Sequence, residues 1–255
     1  MLKRCWRARW YILLGLITFI ITLALTTPLH FVWRYLEPQL QGMPAQINQV
    51  RGSIWQGRMQ VNIPQLSVLG NIDGSWQLEF FPLLVGKAKL RLNLEGQDVR
   101  LVLPVTFTAT TLTIERADGF LQLNSLNPLL QQQRGSADGY VELQQLSSEI
   151  NWREQRINTV SGRLAYSGGE ISLLVDGKPV RAEMPELVGW LAMKEERAIV
   201  DISTMEDESL MQGYLQPDGW AGLSLKRRFL DVIGQEWPAT AEADTVIFEV
   251  SQKVM

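Results

Sequence analysis

Val85-Gly86-Lys87-Ala88-Lys89-Leu90-Arg91-Leu92-Asn93-Leu94 decides the fold. Its even positions from Ala88 to Leu94 are apolar, and its odd positions are Lys87, Lys89, Arg91 and Asn93. A period of two places these sets on opposite faces of a strand, one packed and one wet. Glu95-Gly96-Gln97-Asp98 reads as a turn, after which Val99, Leu101, Leu103 and Val105 alternate in the same way. The two runs predict an antiparallel hairpin.

Working outward, the same grammar recurs. Strands are expected at 139–144, 198–202, 213–216, 221–225 and 245–250, and a second hairpin joins 162–166 to 171–175 through Ser167-Gly168-Gly169. Two windows read as short helices: 186–193, with Leu187, Val188, Trp190 and Leu191, and 225–233, with Phe229, Leu230 and Ile233. The expected fold class is mainly β: an antiparallel, curved or grooved sheet with one or two short helices. Six tryptophans lie in this body, namely Trp55, Trp76, Trp152, Trp190, Trp220 and Trp237. They are expected to pack in the core, some of them over a neighbouring glycine.

Upstream the pattern is different. Residues 1–9 carry Lys3, Arg4, Arg7 and Arg9 and no acid, while no charged residue occurs between Arg9 and Arg34. The apolar run from Trp10 to Thr27 is 18 residues, nearly enough helix to span a hydrocarbon core of about 30 Å. Thr18 and Thr22 can return their hydroxyls to the helix backbone. A cleaved signal peptide has a shorter core and small residues before the cut, and Ala24-Leu25-Thr26 fits that poorly. The reading is an uncleaved signal anchor with the boundary residues Arg9, Trp10 and Thr27. The basic tail is cytoplasmic and the rest lies across the membrane. Leu29, Val32, Trp33, Leu36 and Leu40 share one helical face. The expected domains are therefore a cytoplasmic tail (1–9), a transmembrane anchor (10–27), a helical linker (28–49) and a β domain beyond the membrane (50–255), which the resemblance given below places in the periplasm.

Composition narrows the chemistry. The chain has 255 residues, one Cys, one His and a net charge of −3. A disulfide framework, a His-rich metal site and a His-based triad have no material here, and a nucleic-acid partner has no basic footprint. Cys5 sits on the cytoplasmic side as an idle thiol or a palmitoylation site, and His30 is placed at the membrane exit. Met205-Glu206-Asp207-Glu208 is the densest acidic run. It lacks the spacing and glycine of an EF-hand loop, so it reads as a solvated loop. No catalytic, cofactor or metal residues are assigned and no cofactor is expected. A carboxylate-based, carbohydrate-directed enzyme is the third and weakest reading.

Two segments carry a family resemblance. Val50-Arg51-Gly52-Ser53-Ile54-Trp55-Gln56-Gly57 resembles the G-[ST]-[hydrophobic]-W-x-G signature that opens the periplasmic part of protein N of the bacterial type II secretion system. Residues 76–90, from Trp76 through Phe81-Pro82-Leu83-Leu84 to Gly86, are similar to that family's W-x-L-x-P-x-x-L-L-x-G pattern, with the spacing after proline compressed. Gly52, Trp55, Gly57, Trp76, Pro82 and Gly86 are the positions that match. The resemblance implies a non-enzymatic accessory component of a Gram-negative secretion apparatus. Such a component is a single-pass inner-membrane protein whose periplasmic domain contacts other secretion subunits: the inner-membrane platform and the secretin. It also implies kinship with larger grooved β-sheet proteins that handle lipid. A lipid-binding or lipid-transfer β-groove of the bacterial envelope is thus the alternative, with membrane lipid as partner.

Overall fold

A computed structural model describes residues 46–154, 156–175, 178–234 and 242–253, together with Leu14, Gly15, Leu16, Thr18, Phe19 and Thr22. Those last six residues are helical, and the Thr18 and Thr22 hydroxyls donate to the Leu14 and Thr18 carbonyls at 2.8 Å. The rest of the expected anchor, its boundary residues Arg9, Trp10 and Thr27, Cys5, His30 and the 29–40 helix lie outside the described residues. Among the described residues, no helix is long and apolar enough to cross a membrane.

Among the described residues, the body is one antiparallel sheet of thirteen strands and a small sheet of three. The large sheet begins with β1 (Gln46–Gly52), β2 (Gln56–Asn62), β3 (Ile72–Glu79), β4 (Ala88–Glu95), β5 (Val99–Phe107) and β6 (Thr111–Gln122). The chain then forms β7 (Ser136–Ala137), which leaves the large sheet, before β8 (Tyr140–Asn151) and β9 (Arg156–Tyr166) rejoin it. After β10 (Gly169–Val175) and β11 (Lys178–Met184), the large sheet resumes with β12 (Leu187–Lys194), β13 (Arg197–Thr204), β14 (Ser209–Leu215), β15 (Trp220–Lys226) and β16 (Val246–Lys253). The small sheet has the order β11-β10-β7. The first strand starts at Gln46, so residues 46–49 are strand where a helical linker was expected.

The deciding hairpin forms as its alternation dictates: β4 and β5 pair Leu90 with Val105, Leu92 with Leu103 and Leu94 with Leu101. Directly opposed residues share a face, so the register carries one apolar face outward in both directions. It reaches Leu78, Trp76 and Met59 on one side, and Ile114, Leu143, Leu164, Ile202, Met211 and Leu225 on the other.

Two bulges interrupt the alternation in β6 and β8, at Arg116 (φ 53°) and Gln145 (φ 52°). Each adds a residue and switches the phase of its strand, so Ile114 and Ala117 face the same side. A bulged residue loses its ladder partner. Here each N–H is recovered by a side chain of the adjacent strand. Arg116 N donates to Ser147 Oγ at 3.3 Å, and Gln145 N to Asp118 Oδ1 at 2.9 Å.

Two expectations are corrected. Residues 162–166 and 171–175 do not pair. Gly168 (φ 77°) and Gly169 (φ 141°) turn the chain out of the large sheet, so β10 joins β11 and β7 while β9 pairs with β8 and β12. The expected helix at 186–193 is β12. Leu187, Gly189 and Leu191 continue the apolar face opposite Tyr166, Leu164 and Gly162, and pairing on both edges outweighs local helical spacing. The second expected helix is present as Arg227–Val232.

The meander gives the sheet two unlike ends. At one end the chain makes tight connections, at 53–55, 80–87, 108–110 and 216–219. At the other, besides the short turns at 96–98 and 205–208, it makes four long ones, which fold back over the apolar face. There the small sheet and the Arg227–Val232 helix bury Met184, Leu187, Leu210 and Ile233, and the 3-10 turn Pro64–Leu69 helps bury Val61, Leu69 and Ile72. Ion pairs tie the helix down at its rim, with Arg228 reaching Glu208 at 2.9 Å and Asp244 at 3.4 Å. Such exposed pairs contribute about 0–1 kcal/mol each.

Asp118→Ala removes the acceptor for the bulged Gln145 amide. At this exposed position water recovers part of the bond, so the expected loss is about 1 kcal/mol. It should be read as a lower urea midpoint with an unchanged slope.

Candidate functional site: a glycine–tryptophan corner and an apolar cavity

The six motif positions come together at the tight-turn end of β1–β4. Gly52 pairs with Gly57 across β1–β2, and Gly57 pairs with Trp76 across β2–β3. Gly52 has φ 126°, and a side chain there would strike the Gln56 carbonyl oxygen at 2.5 Å. A side chain on Gly57 would overlap the six-membered ring of Trp76, because the indole lies flat over that glycine. The indole is fixed at its polar edge, where Nε1 donates to the Ile54 carbonyl at 3.3 Å. Ser53 closes the turn, its Oγ accepting from Trp55 N and Gln56 N at 3.3 Å.

Trp55 extends the corner. Its carbonyl accepts from Leu78 N at 2.7 Å, and its ring meets Phe80 edge-on at 5.3 Å between centroids. The chain then makes one helical turn, Phe80–Leu83, around Pro82. The Pro82 carbonyl accepts from both Val85 N (3.1 Å) and Lys87 N (3.0 Å), and Gly86 at φ 74° supplies the left-handed residue that returns the chain to β4. The compressed spacing after proline is this single turn.

The remaining tryptophans do not all pack inside as expected. Trp55 and Trp76 are half-buried, but Trp152, Trp190 and Trp220 are exposed. Trp190 falls on the face opposite the apolar one because Leu187, Gly189 and Leu191 occupy that one, and the Arg163 guanidinium lies over its ring at 5.5 Å. Trp152 sits with Arg153 at 5.8 Å in the β8–β9 turn. Trp237 lies outside the described residues.

A second site was not legible in the sequence. Between the small sheet and the large one lies an apolar cavity of about 400 Å³, open on one side. Its wall is drawn from Leu164 and Tyr166 of β9, Ile171 of β10, Met184 of β11, Met211 of β14 and Phe229 of the helix. Ten separate elements between Leu123 and Phe229 contribute, so no local motif marks it. Its one polar lining group is already engaged, since the Tyr166 hydroxyl donates to the Asp138 carbonyl at 2.8 Å. Burial first, and then the charges of Asp138 and Glu183, raise the Tyr166 phenol above its ordinary value.

The acidic run closes a turn instead of building a site. The Thr204 Oγ1 accepts from Glu206 N and Glu208 N, Asp207 takes φ 64°, and Glu208 pairs with Arg228. Among the described residues, no group of three or more His, Cys, Asp or Glu is placed to hold a metal ion.

Two outcomes follow from this geometry. Gly57→Ala forces the Trp76 ring off its seat and should cost about 1–3 kcal/mol, seen as a lower melting temperature and altered tryptophan emission. Tyr166→Phe should cost about 1 kcal/mol at neutral pH. With the folded phenol value raised, its stabilisation is complete below pH 10.0 and is lost as pH climbs through the folded value, because the unfolded chain ionises first. The alkaline fall in wild-type stability should be shallower in Tyr166→Phe.

No curated protein and no solved structure matches the chain. The family model for protein N of the type II secretion system matches residues 44–229, which run from the start of β1 into the C-terminal helix. That span is most of the chain and includes the whole glycine–tryptophan corner, and the family is one of secretion components, not a known enzyme family. The chain belongs to the type II secretion system protein N family.

Proposed function

We propose that the protein is a non-enzymatic accessory subunit of the type II secretion apparatus. In this reading the N-terminal helix anchors it in the inner membrane with the basic tail in the cytoplasm. The β body stands in the periplasm and contacts the inner-membrane platform and the secretin. The family match over residues 44–229 carries the reading.

The sheet's two edges support a mode of contact. Among the described residues, β1 and β16 each pair on one side. β1 is blunted by a bulge at Gln49 (φ 48°) and by exposed Arg51. β16 has a register shift between Val246 and Phe248 and from there runs extended along its free side, with Phe248 and Val250 exposed on the apolar face. An edge of that kind accepts a partner strand, with ladder hydrogen bonds supplying affinity and the alternate side chains supplying selectivity.

A second reading is favoured by the apolar cavity, whose volume of about 400 Å³ falls in the range that holds small ligands, roughly 300–1,000 Å³. In it the body binds an acyl chain of envelope lipid. Native mass spectrometry of the detergent-purified full chain separates the two readings. A lipid adduct that Leu164→Trp abolishes supports the second, and a bare mass removes it.

For the first reading, deleting the gene should leave secreted proteins behind in the periplasm. The Phe248→Lys/Val250→Lys chain should fail to restore export although its melting temperature is unchanged, because both side chains are exposed. Restoration equal to wild type would remove β16 as the contact. Full export without the protein would remove the secretion role. A phosphatase fused to the C-terminus should be active outside the cytoplasm.

A further inference from the structure

The sequence Phe80-Phe81-Pro82-Leu83-Leu84-Val85-Gly86-Lys87 holds an apolar group far out in solvent. Phe81 is 80% exposed, Leu84 71% and Val85 73%. The two phenylalanines divide the work: Phe80 turns in against Trp55, while Phe81 stands out with its ring 5.9 Å from that of Phe80. Phe107, the last residue of β5, is exposed beside them, because it pairs with Ala88 two residues beyond Gly86.

Donors along the second half of this tip are taken up within it. Four consecutive amides, Leu84 to Lys87, donate to the carbonyls of Phe81, Pro82, Leu83 and again Pro82 at 3.0–3.2 Å. Pro82 has no N–H to satisfy. A protein pocket does not require that of a visiting loop, because the pocket can supply donors and acceptors. A hydrocarbon phase supplies none, and each unmatched backbone group there is costly. No acid occurs between Phe80 and Lys87, and Lys87 stands exposed at the exit; the nearest acid, Glu79, lies back in β3 in register with Lys89, whose ammonium reaches Glu115 at 3.4 Å. A cation beside bulky apolar side chains is the composition that suits an anionic bilayer surface.

We propose that the Phe81–Leu84–Val85 tip inserts into the interfacial region of a lipid bilayer, with Lys87 at the level of the anionic headgroups. The tip lies at the end of β1 opposite to Gln46, where the chain comes into the sheet, about 20 Å away along the strand. The bilayer that takes it is either the one holding the chain or one facing it, and the chemistry is the same for both. This inference takes the membrane anchor from the proposed function and otherwise stands apart from the secretion role and from the apolar cavity.

The test uses the full chain with Cys5→Ser and Leu84→Cys, labelled with an environment-sensitive fluorophore. A second chain carries the label at Gln65→Cys, an exposed position at the other end of the sheet. Both are reconstituted into vesicles of phosphatidylethanolamine and phosphatidylglycerol. Lipids with brominated acyl chains, which quench on contact, are placed either in the host vesicles or in a second, added population. The expected result is a blue-shifted emission at position 84 and loss of most of its intensity in one arm, with neither change at position 65. The arm that quenches identifies the bilayer. Adding Phe81→Ser and Val85→Ser to the position-84 chain should abolish the quenching without moving the melting temperature. Emission at the wavelength of aqueous dye and no quenching in either arm would overturn the proposal. So would a blue shift without quenching, which marks a protein contact, and so would quenching that survives the double serine change.

Discussion

Twelve antiparallel pairings hold the described strands of the large sheet together, and their registers carry one apolar face from β2 to β15. The body depends on that register. A shift of one residue at any interface would send the apolar side chains of the strands beyond it into water and bring arginines and glutamates in. The bulges at Arg116 and Gln145 show how closely it is held. Both neighbouring strands change phase at nearly the same level, so the apolar face remains continuous across the change. The exchange of Asp118 and Ser147 between them satisfies the two amides that the phase change leaves over. Neither bulge can be removed alone without opposing polar to apolar residues along the next strand.

A sheet with one apolar face needs a second layer, and this chain supplies it at one end. The small sheet, the Arg227–Val232 helix and the Pro64–Leu69 turn come from the long connections, and the buried clusters lie beneath them. At the tight-turn end the turns are too short to cover anything. Side chains there are stabilised by neighbours on the same face and by the Trp76–Gly57 contact. The chemistry of the molecule is that of surfaces: an extended edge at β16, an apolar hollow under the second layer, and a projecting tip. Its carboxylates close turns and pair with arginines, as Glu208 and Asp244 do with Arg228.

The parts legible in the sequence are those governed by short-range periodicity. Residues 85–105 alternate cleanly because both strands have one wet face and sit next to each other in the chain. The same rule failed at 186–193. Leu187, Val188, Trp190 and Leu191 fit a helix as well as a strand, and only pairing with β9 and β13 decides between them. Gly168-Gly169 resembled a hairpin turn, but what the two glycines do is eject the chain from one sheet into another, and that depends on a partner strand still to come. The corner was visible as a motif because its glycines and tryptophans are close in sequence. The cavity was invisible because its wall draws on residues from Leu123 to Phe229, each of which reads locally as an ordinary core position.

The corner and the tip form one mechanical unit. Apolar side chains on a pliant loop would fold back onto the nearby apolar face of the sheet, since burial returns roughly 25 cal/mol for each Å² removed from water. Phe81, Leu84 and Val85 remain out because the loop has no freedom to bend. Four of its amides are spent internally, proline fixes one φ, Gly86 sets the exit, and Phe80 is held against Trp55. Trp55 in turn belongs to a turn whose geometry depends on Gly52, Ser53 and the indole seated on Gly57. The glycines of the corner therefore act at a distance from themselves: they let two rings lie close to the backbone, and the rings hold an apolar tip where water would otherwise drive it inward.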